Sequence, residues 1–412
     1  MIVYTYKKEK VILADEPLAA GGEGEVRRVT SCPSKFNNVC AKLYFKPRQT
    51  KEQERKIRFM VENPPNIIVG QGMMLAWPLE TIYNEKDGRF LGFIMPTAFP
   101  DSKKLVILTA LKLKKAHKAE WYKFDKELDK KNALISRMKL IKNISIPIYL
   151  LHTTEKYVLK DFKPDNVLVT PIGKVTIVDM DSIQICDNGK LLFPGTAATD
   201  NYVPPECYKN GVGRDAKIPL DKSWDLFAVG EVFYQLLFGL SPYAVTPKSN
   251  TEDSSTIPYC ISHNLFPFGE NSSKIAKIPE PHKNFNVIPQ PVRDLFIRSF
   301  GDNPANRPQA MEWGRTINEV LRLLPTPTPP TRPTPAPDQE VSKKSKPQPN
   351  SNQNSQRHCP NCGAFISTSA KYCKVCGYKF GNKKNGKNTG CLIAIIILLL
   401  QVVLYIVVLF SS

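Results

Sequence analysis

"VLKDFKPDNVLV", residues 158–169, sets a carboxylate (Asp161), a cation (Lys163), a proline and an amide (Asn166) between two apolar runs. An ordinary loop needs only polarity, so these residue types ask for a reason. Two readings fit the stretch by itself. In one it is a β-hairpin turning at Pro164-Asp165-Asn166. In the other it is a phosphoryl-transfer loop: Asp161 accepts the proton of an attacking hydroxyl, Lys163 neutralises the transferring phosphate and Asn166 ligates magnesium. The rest of the chain has to choose between them.

A magnesium ion needs a second oxygen ligand, and "VTIVDMDSIQI" (175–185) offers Asp179 directly after an apolar β run. One carboxylate and one amide beside substrate phosphates make a site for a cation that keeps several of its waters. Upstream, "LAAGGEGEVRRV" (18–29) holds Gly21, Gly22 and Gly24, which permit a tight turn whose N–H groups can approach phosphates, and Val26 then packs over a base. A plain glycine-rich hairpin is the competing reading. Lys42 follows in "VCAKLY", inside an apolar strand where a cation is costly to bury without a partner. It asks for a carboxylate and a phosphate, unless it lies on an edge strand facing water. The helical stretch "KEQERKIRFMV" (51–61) can supply the carboxylate: Glu54, Ile57 and Val61 share one face, with Glu52 as the competitor.

Taken in order, these motifs resemble the protein kinase superfamily, and within it the bacterial eukaryotic-like serine/threonine kinases. The resemblance covers about residues 10–324. "LAAGGEGEV" looks like the Gly-rich loop, "VCAK" like the strand of the phosphate-binding lysine, "LKDFKPDN" like the catalytic loop and "DMD" like the Asp-Phe-Gly position. "YVPPE" resembles the Ala-Pro-Glu end of the activation segment, and the resemblance pairs its Glu206 with Arg307 of "NPANRP". Asp225 of "WDLFAVG" falls where the family braces its catalytic loop. Lys163 and Thr199 follow the serine/threonine pattern. Ala19, Leu159, Lys160 and Met180-Asp181 depart from the family pattern, but none of these removes Lys42, Asp161, Asn166 or Asp179.

The resemblance therefore implies an α+β, two-lobed kinase fold over residues 1–324, with a strand-rich lobe to about residue 100 and a helical lobe over 101–324. It also implies ATP and Mg²⁺ as ligands and a protein hydroxyl as acceptor. A catalytically silent pseudokinase that binds partners is the main alternative, and a kinase acting on a small molecule is the third reading.

Charge and composition divide the remainder. The 412 residues carry 57 Lys and Arg against 38 Asp and Glu, a net +19, which spread evenly would suggest nucleic acid or an anionic membrane. Residues 341–390 hold ten of these cations and no acid, so the question of a charged partner belongs mainly to that tail. Residues 325–357 are Pro-rich and then polar, too poor in apolar groups to offset ordering entropy, and read as a linker. Over 358–380, Cys359 and Cys362 stand before Cys373 and Cys376 as two Cys-x-x-Cys knuckles, the spacing of a small zinc ribbon with a closed structural Zn²⁺ site. Two disulfides are the competing reading. Five of the ten cysteines, Cys32, Cys40, Cys186, Cys207 and Cys260, are scattered and read as free thiols.

The basic segment 381–390 leads into 391–410, where the run from Leu392 to Phe410 is broken only by Gln401 and would extend ~28 Å as a helix, enough to span a bilayer. The lysines before it place kinase domain and ribbon on the cytoplasmic side of a single-pass membrane protein. A removable lipid-anchor signal is a further alternative, against which the missing secretory signal argues. A protein partner is a further expectation at the ribbon, and nucleic acid is the minority reading there.

Overall fold

Strand chemistry shapes the first ninety residues. β1 (Ile2–Thr5), β2 (Lys10–Ala20), β3 (Gly24–Ser31) and β4 (Val39–Tyr44) follow one another as antiparallel neighbours. Helix α1 (Lys51–Glu62) comes next, then β5 (Met73–Leu75), β6 (Glu80–Asn84) and β7 (Phe90–Pro96). The computed structural model of the chain describes residues 1–209, 217–249, 254 and 256–323, with the backbone of two further short strands.

The strand-rich lobe expected here is present, and its strands close into a barrel. The order is β1-β2-β3-β4-β7-β6, and β1 returns to β6 through Val3↔Asn84, Tyr4↔Tyr83 and Thr5↔Ile82. Alternation accounts for the closure. Val3, Val11, Leu13, Ala41, Leu43, Ile82, Leu91 and Ile94 all turn inward, and a closed sheet removes that whole set from water. Two glycines let the strands pass closely. A Cβ at Gly24 would collide with the Leu43 carbonyl, and one at Gly92 with the Lys42 carbonyl.

α1 begins at a cap that the sequence supplies: the Thr50 hydroxyl accepts from the Gln53 N–H at 3.1 Å, an interaction worth about 1 kcal/mol. Gln53, Lys56, Ile57 and Met60 form its buried face, at helical spacing.

β5 leaves the barrel and pairs in parallel with the strand Val175–Ile177, joining Met73 to Val175 and Leu75 to Ile177. That strand is the second arm of a hairpin with Val167–Val169. The barrel half and the helical half are thus connected through a shared ladder as well as by the chain.

The helical half is organised by two long elements. Helix Lys130–His152 starts at an Asp129 cap and packs on helix Ala310–Leu323. Helix Ser223–Phe238 is buried around almost its whole circumference, as its largely apolar sequence requires. Aromatic rings from Tyr234, Phe238, Phe266, Phe285, Phe296 and Trp313 fill the space beside it. Arg137 is buried here too, and donates to the carbonyls of Phe124, Leu108 and Leu236 in place of a carboxylate.

Residues 1–335 form one compact unit and 336–412 a second. Of the second, the described part is an antiparallel strand pair, Gln356–His358 with Phe365–Ser367. Cys359, Cys362, Cys373, Cys376 and the apolar run 391–410 lie outside the described residues, so the ribbon and the span stay sequence expectations. Among the described residues, no helix is long and apolar enough to cross a membrane. The five cysteines among the described residues, Cys32, Cys40, Cys186, Cys207 and Cys260, are free thiols, as expected.

Candidate active site

The stretch that opens the sequence reading is a loop, not a hairpin turn. After the short strand Tyr157–Val158, residues 159–163 run in irregular backbone, Pro164–Asn166 makes one 3-10 turn, and the strand Val167–Val169 follows. Asp225 fixes the start of this loop from below. Its carboxylate accepts from the backbone N–H groups of Leu159 (2.8 Å) and Lys160 (2.9 Å) and meets His152 Nε2 at 2.9 Å. Trp224 Nε1 donates to the Lys160 carbonyl, and Lys160 itself sits at φ 65°. A buried carboxylate anchoring a strained backbone turn is how a catalytic group gains a fixed direction.

Asp161 is the group so directed. Its Oδ2 lies 2.6 Å from Lys163 Nζ, and its Oδ1 accepts from the Thr199 hydroxyl at 2.7 Å. Lys163 Nζ also donates to the Thr199 Oγ1 at 2.8 Å, so carboxylate, ammonium and hydroxyl close a triangle. Asn166 Nδ2 donates to the Asp161 carbonyl at 2.9 Å, and its Oδ1 accepts no hydrogen bond among the described residues.

Asp179 stands beside it because Val178 N–H donates to the Asn166 carbonyl at 2.9 Å. Asp179 adopts the left-handed conformation (φ 63°, ψ 35°), which turns its carboxylate out of the preceding strand direction. Asp161, Asn166 and Asp179 line one small cavity. The amide oxygen of Asn166 and the second carboxylate oxygen of Asp179 are thus a hard-oxygen pair, which fits a magnesium ion completing its shell with phosphate and water.

Lys42 reaches Asp179, one of the residues lining this cavity, from β4. Val26 pairs directly across from it on β3, so both side chains leave the same face of the barrel. Gly21 and Gly22 form the exposed tip of the β2–β3 hairpin, closed by Gly21 N–H to Gly24 O at 2.9 Å.

One expectation is overturned. Glu54 does not meet Lys42: its carboxylate accepts from the Tyr83 hydroxyl at 2.9 Å and pairs with Lys51. The physical reason is the phase of α1, whose buried face runs through Gln53, Lys56, Ile57 and Met60. Glu52, the competitor, is exposed.

Lys42 Nζ instead lies 2.7 Å from both carboxylate oxygens of Asp181 and 3.2 Å from Asp179 Oδ1. Burial works against the Lys42 charge, but Asp181 and Asp179 outweigh it and hold the amine above the ordinary lysine range. Burial likewise opposes the charge of Asp181, and Lys42 outweighs it, holding that carboxyl below its ordinary value. For Lys56, also buried, burial wins over the attraction of Asp181 and pushes the amine down to about 8.

Farther out, Arg307 donates to both oxygens of Glu206 at 2.7 and 2.8 Å and to the Ser223 carbonyl at 3.0 Å, giving the bidentate pair that the resemblance implies. His152 and Asp181 are the site residues that sequence reasoning did not assign. A polar residue closing an apolar helix, and an acid inside the otherwise apolar "VDMDSIQI", are the signals that could have found them.

A barrel lobe set against a helical lobe, with a braced carboxylate, a buried lysine and a pair of hard-oxygen ligands between them, defines a phosphotransferase of the kinase type. The chain belongs to the protein kinase family: the family profile of the protein kinase domain matches residues 95–316.

Among individual proteins it is similar to protein kinase YegI of Escherichia coli K12, with 23% identity over 328 residues, covering 78% of this chain and 46% of that protein. It is also similar to serine/threonine-protein kinase PknD of Chlamydia pneumoniae, with 26% identity over 185 residues, covering 40% of this chain and 18% of that protein. A third similarity is to serine/threonine-protein kinase TOUSLED of Arabidopsis thaliana, 31% over 122 residues, covering 28% of this chain and 17% of that protein. The chain spans about half, or less, of the length of the curated relatives it matches. The family match begins at residue 95, so most of the barrel lies outside it.

Proposed function

We propose that the protein transfers the γ-phosphate of ATP to serine or threonine hydroxyls of a protein substrate. The observation that carries this reading is the Asp161-Lys163-Thr199 triangle. There a threonine hydroxyl already rests on the carboxylate at 2.7 Å with an ammonium 2.8 Å away. An acceptor hydroxyl in that position gives its proton to Asp161 as its oxygen bonds to the γ-phosphorus. The bond from phosphorus to the β–γ bridging oxygen breaks and ADP departs. Lys163 offsets charge on the phosphoryl oxygens. Lys42 holds the phosphates from the barrel side, the hairpin carrying Gly21, Gly22 and Gly24 covers them, and Val26 packs on the base. Asn166 and Asp179 hold magnesium, which neutralises phosphate charge when bound.

Incubation of the full chain with ATP, Mg²⁺ and a generic basic protein tests the reading, with phosphorylated sites mapped afterwards. Phosphoserine and phosphothreonine are expected in the product. Binding of Mg²⁺·ATP with no transfer to any acceptor would instead support the silent, partner-binding reading, and transfer only to small hydroxylated molecules the third.

The relatives' names and Lys163 support the serine/threonine choice. The tail completes the proposal: Cys359, Cys362, Cys373 and Cys376 hold one structural Zn²⁺, and residues 391–410 anchor the kinase at the cytoplasmic face of a membrane. The ribbon is available to a protein partner. Elemental analysis of the full chain should return one zinc, and removing residues 391–412 should move the protein from the membrane pellet to the supernatant. A zinc-free chain, or one that pellets equally without those residues, would sink that part.

A further inference from the structure

We propose that the carboxylate which orients the nucleotide lysine has moved in this chain from helix α1 to the loop after the metal-binding aspartate, making Asp181 the positioning residue for Lys42. The inference rests on the kinase reading of the site and adds to it a residue to which no role has so far been given.

Three observations carry it. First, both carboxylate oxygens of Asp181 lie 2.7 Å from Lys42 Nζ, and the Asp181 side chain is 2% exposed. Second, Asp181 is held in its turn. Tyr44, two residues along β4 from Lys42, donates its hydroxyl to Asp181 Oδ2 at 2.6 Å, and Gln53 Nε2 donates to the Tyr44 hydroxyl at 2.7 Å. Third, α1 brings no carboxylate to this network. Its buried face offers Gln53 and the cation Lys56, whose Nζ is buried with no hydrogen-bond partner among the described residues, while Glu54 is engaged by Tyr83 and Lys51.

The polarity is therefore inverted: the helix contributes an ammonium and the loop the acid. Without Asp181, Lys42 and the buried Lys56 would have only the metal-binding Asp179, 3.2 Å from Lys42, as a carboxylate close by, so the two substitutions relative to a helix-borne acid compensate each other.

A consequence follows for motion. A carboxylate on α1 would tie Lys42 to the position of that helix. Here Lys42 is tied to residues 179–182, and among the described residues the hydrogen bond by which α1 reaches the network is the one from Gln53 to Tyr44. Displacing α1 leaves the ion pair intact, whereas displacing the loop breaks it.

The test measures binding of Mg²⁺·ADP and Mg²⁺·ATP to the full chain by calorimetry, alongside phosphoryl transfer. Asp181→Asn should weaken nucleotide binding by about 10- to 100-fold, as expected for loss of a charged hydrogen-bond partner. Glu54→Gln, in contrast, should leave binding and transfer at wild-type levels. Relocating the acid should rescue. Asp181→Gly should bind as poorly as Asp181→Asn, and Asp181→Gly/Lys56→Glu should recover about tenfold or more of the loss, a coupling that a general weakening of the fold would not give.

Should Asp181→Asn not fold, the glycine variant and its Lys56→Glu partner carry the comparison. Wild-type affinity in Asp181→Asn or Asp181→Gly, a weakened Glu54→Gln, or a double variant no better than Asp181→Gly would each overturn the proposal. These outcomes differ from failure of the kinase reading itself: a wild type that binds nucleotide but transfers nothing sinks that reading alone, and one that binds no nucleotide sinks both.

Discussion

Asp161→Asn is expected to reduce phosphoryl transfer by about 10²- to 10⁴-fold, the contribution of a positioned general base. The amide keeps the size of the carboxylate and can still accept from the Thr199 hydroxyl, so the loop, anchored separately by Asp225, keeps its place. What it loses is the ability to take a proton and the charge that holds Lys163 Nζ at 2.6 Å. Asp179→Asn should show a loss of at least about 10²-fold for a different reason, weaker magnesium binding, and raised Mg²⁺ should recover part of it. Steady-state rates across a magnesium titration separate the two: the Asp161 variant should stay slow at every concentration. Turnover within threefold of wild type in both variants would rule out these roles.

The second large effect is on stability. Glu206→Ala should destabilise the folded unit by at most roughly 3–5 kcal/mol, the cost of breaking a buried ion pair from one side, since Arg307 is buried while the Glu206 side chain is 29% exposed. The argument depends on which partner is left behind. The Arg307 side chain is only 1% exposed, its guanidinium cannot shed its charge, and after the substitution the carbonyl of Ser223 is its one remaining hydrogen-bond partner among the described residues. The ring of Phe227, 5.3 Å from the guanidinium carbon, cannot replace a bidentate carboxylate. Urea unfolding followed by tryptophan fluorescence measures it. A midpoint equal to that of wild type would show that water reaches Arg307 easily enough to make the pair dispensable.

The parts of the site legible in the sequence share a physical trait. Asp161, Lys163 and Asn166 precede the first arm of one hairpin and Asp179 follows its second, so spacing along the chain nearly fixes spacing in the fold. Asp225, Glu206 and Arg307 were readable only through the resemblance, because nothing local says that residues 101 apart will meet.

The failures come from longer range. Helix α1 offers two polar-apolar faces one residue apart in phase, one through Glu54, Ile57 and Val61 and the other through Gln53, Lys56, Ile57 and Met60. The first is the one that would bring a carboxylate to Lys42. The second wins because Tyr83 gives Glu54 a partner outside, and Asp181, 139 residues from Lys42, supplies the missing acid. The barrel was unreadable for a related reason: each strand alternates as any half-buried strand does, and the pairing of Val3 with Asn84 carries no local signature.

That closure has a consequence for association. An open sheet exposes two rows of unsatisfied N–H and C=O groups, to which a foreign strand can add. With β1 docked on β6 this half of the molecule has no such rows, so whatever meets it must engage side chains on loops or on α1. It also makes the first ten residues structural. Removing them would free the edges of β2 and β6 that β1 now pairs, and would turn a self-contained lobe into a template for aggregation.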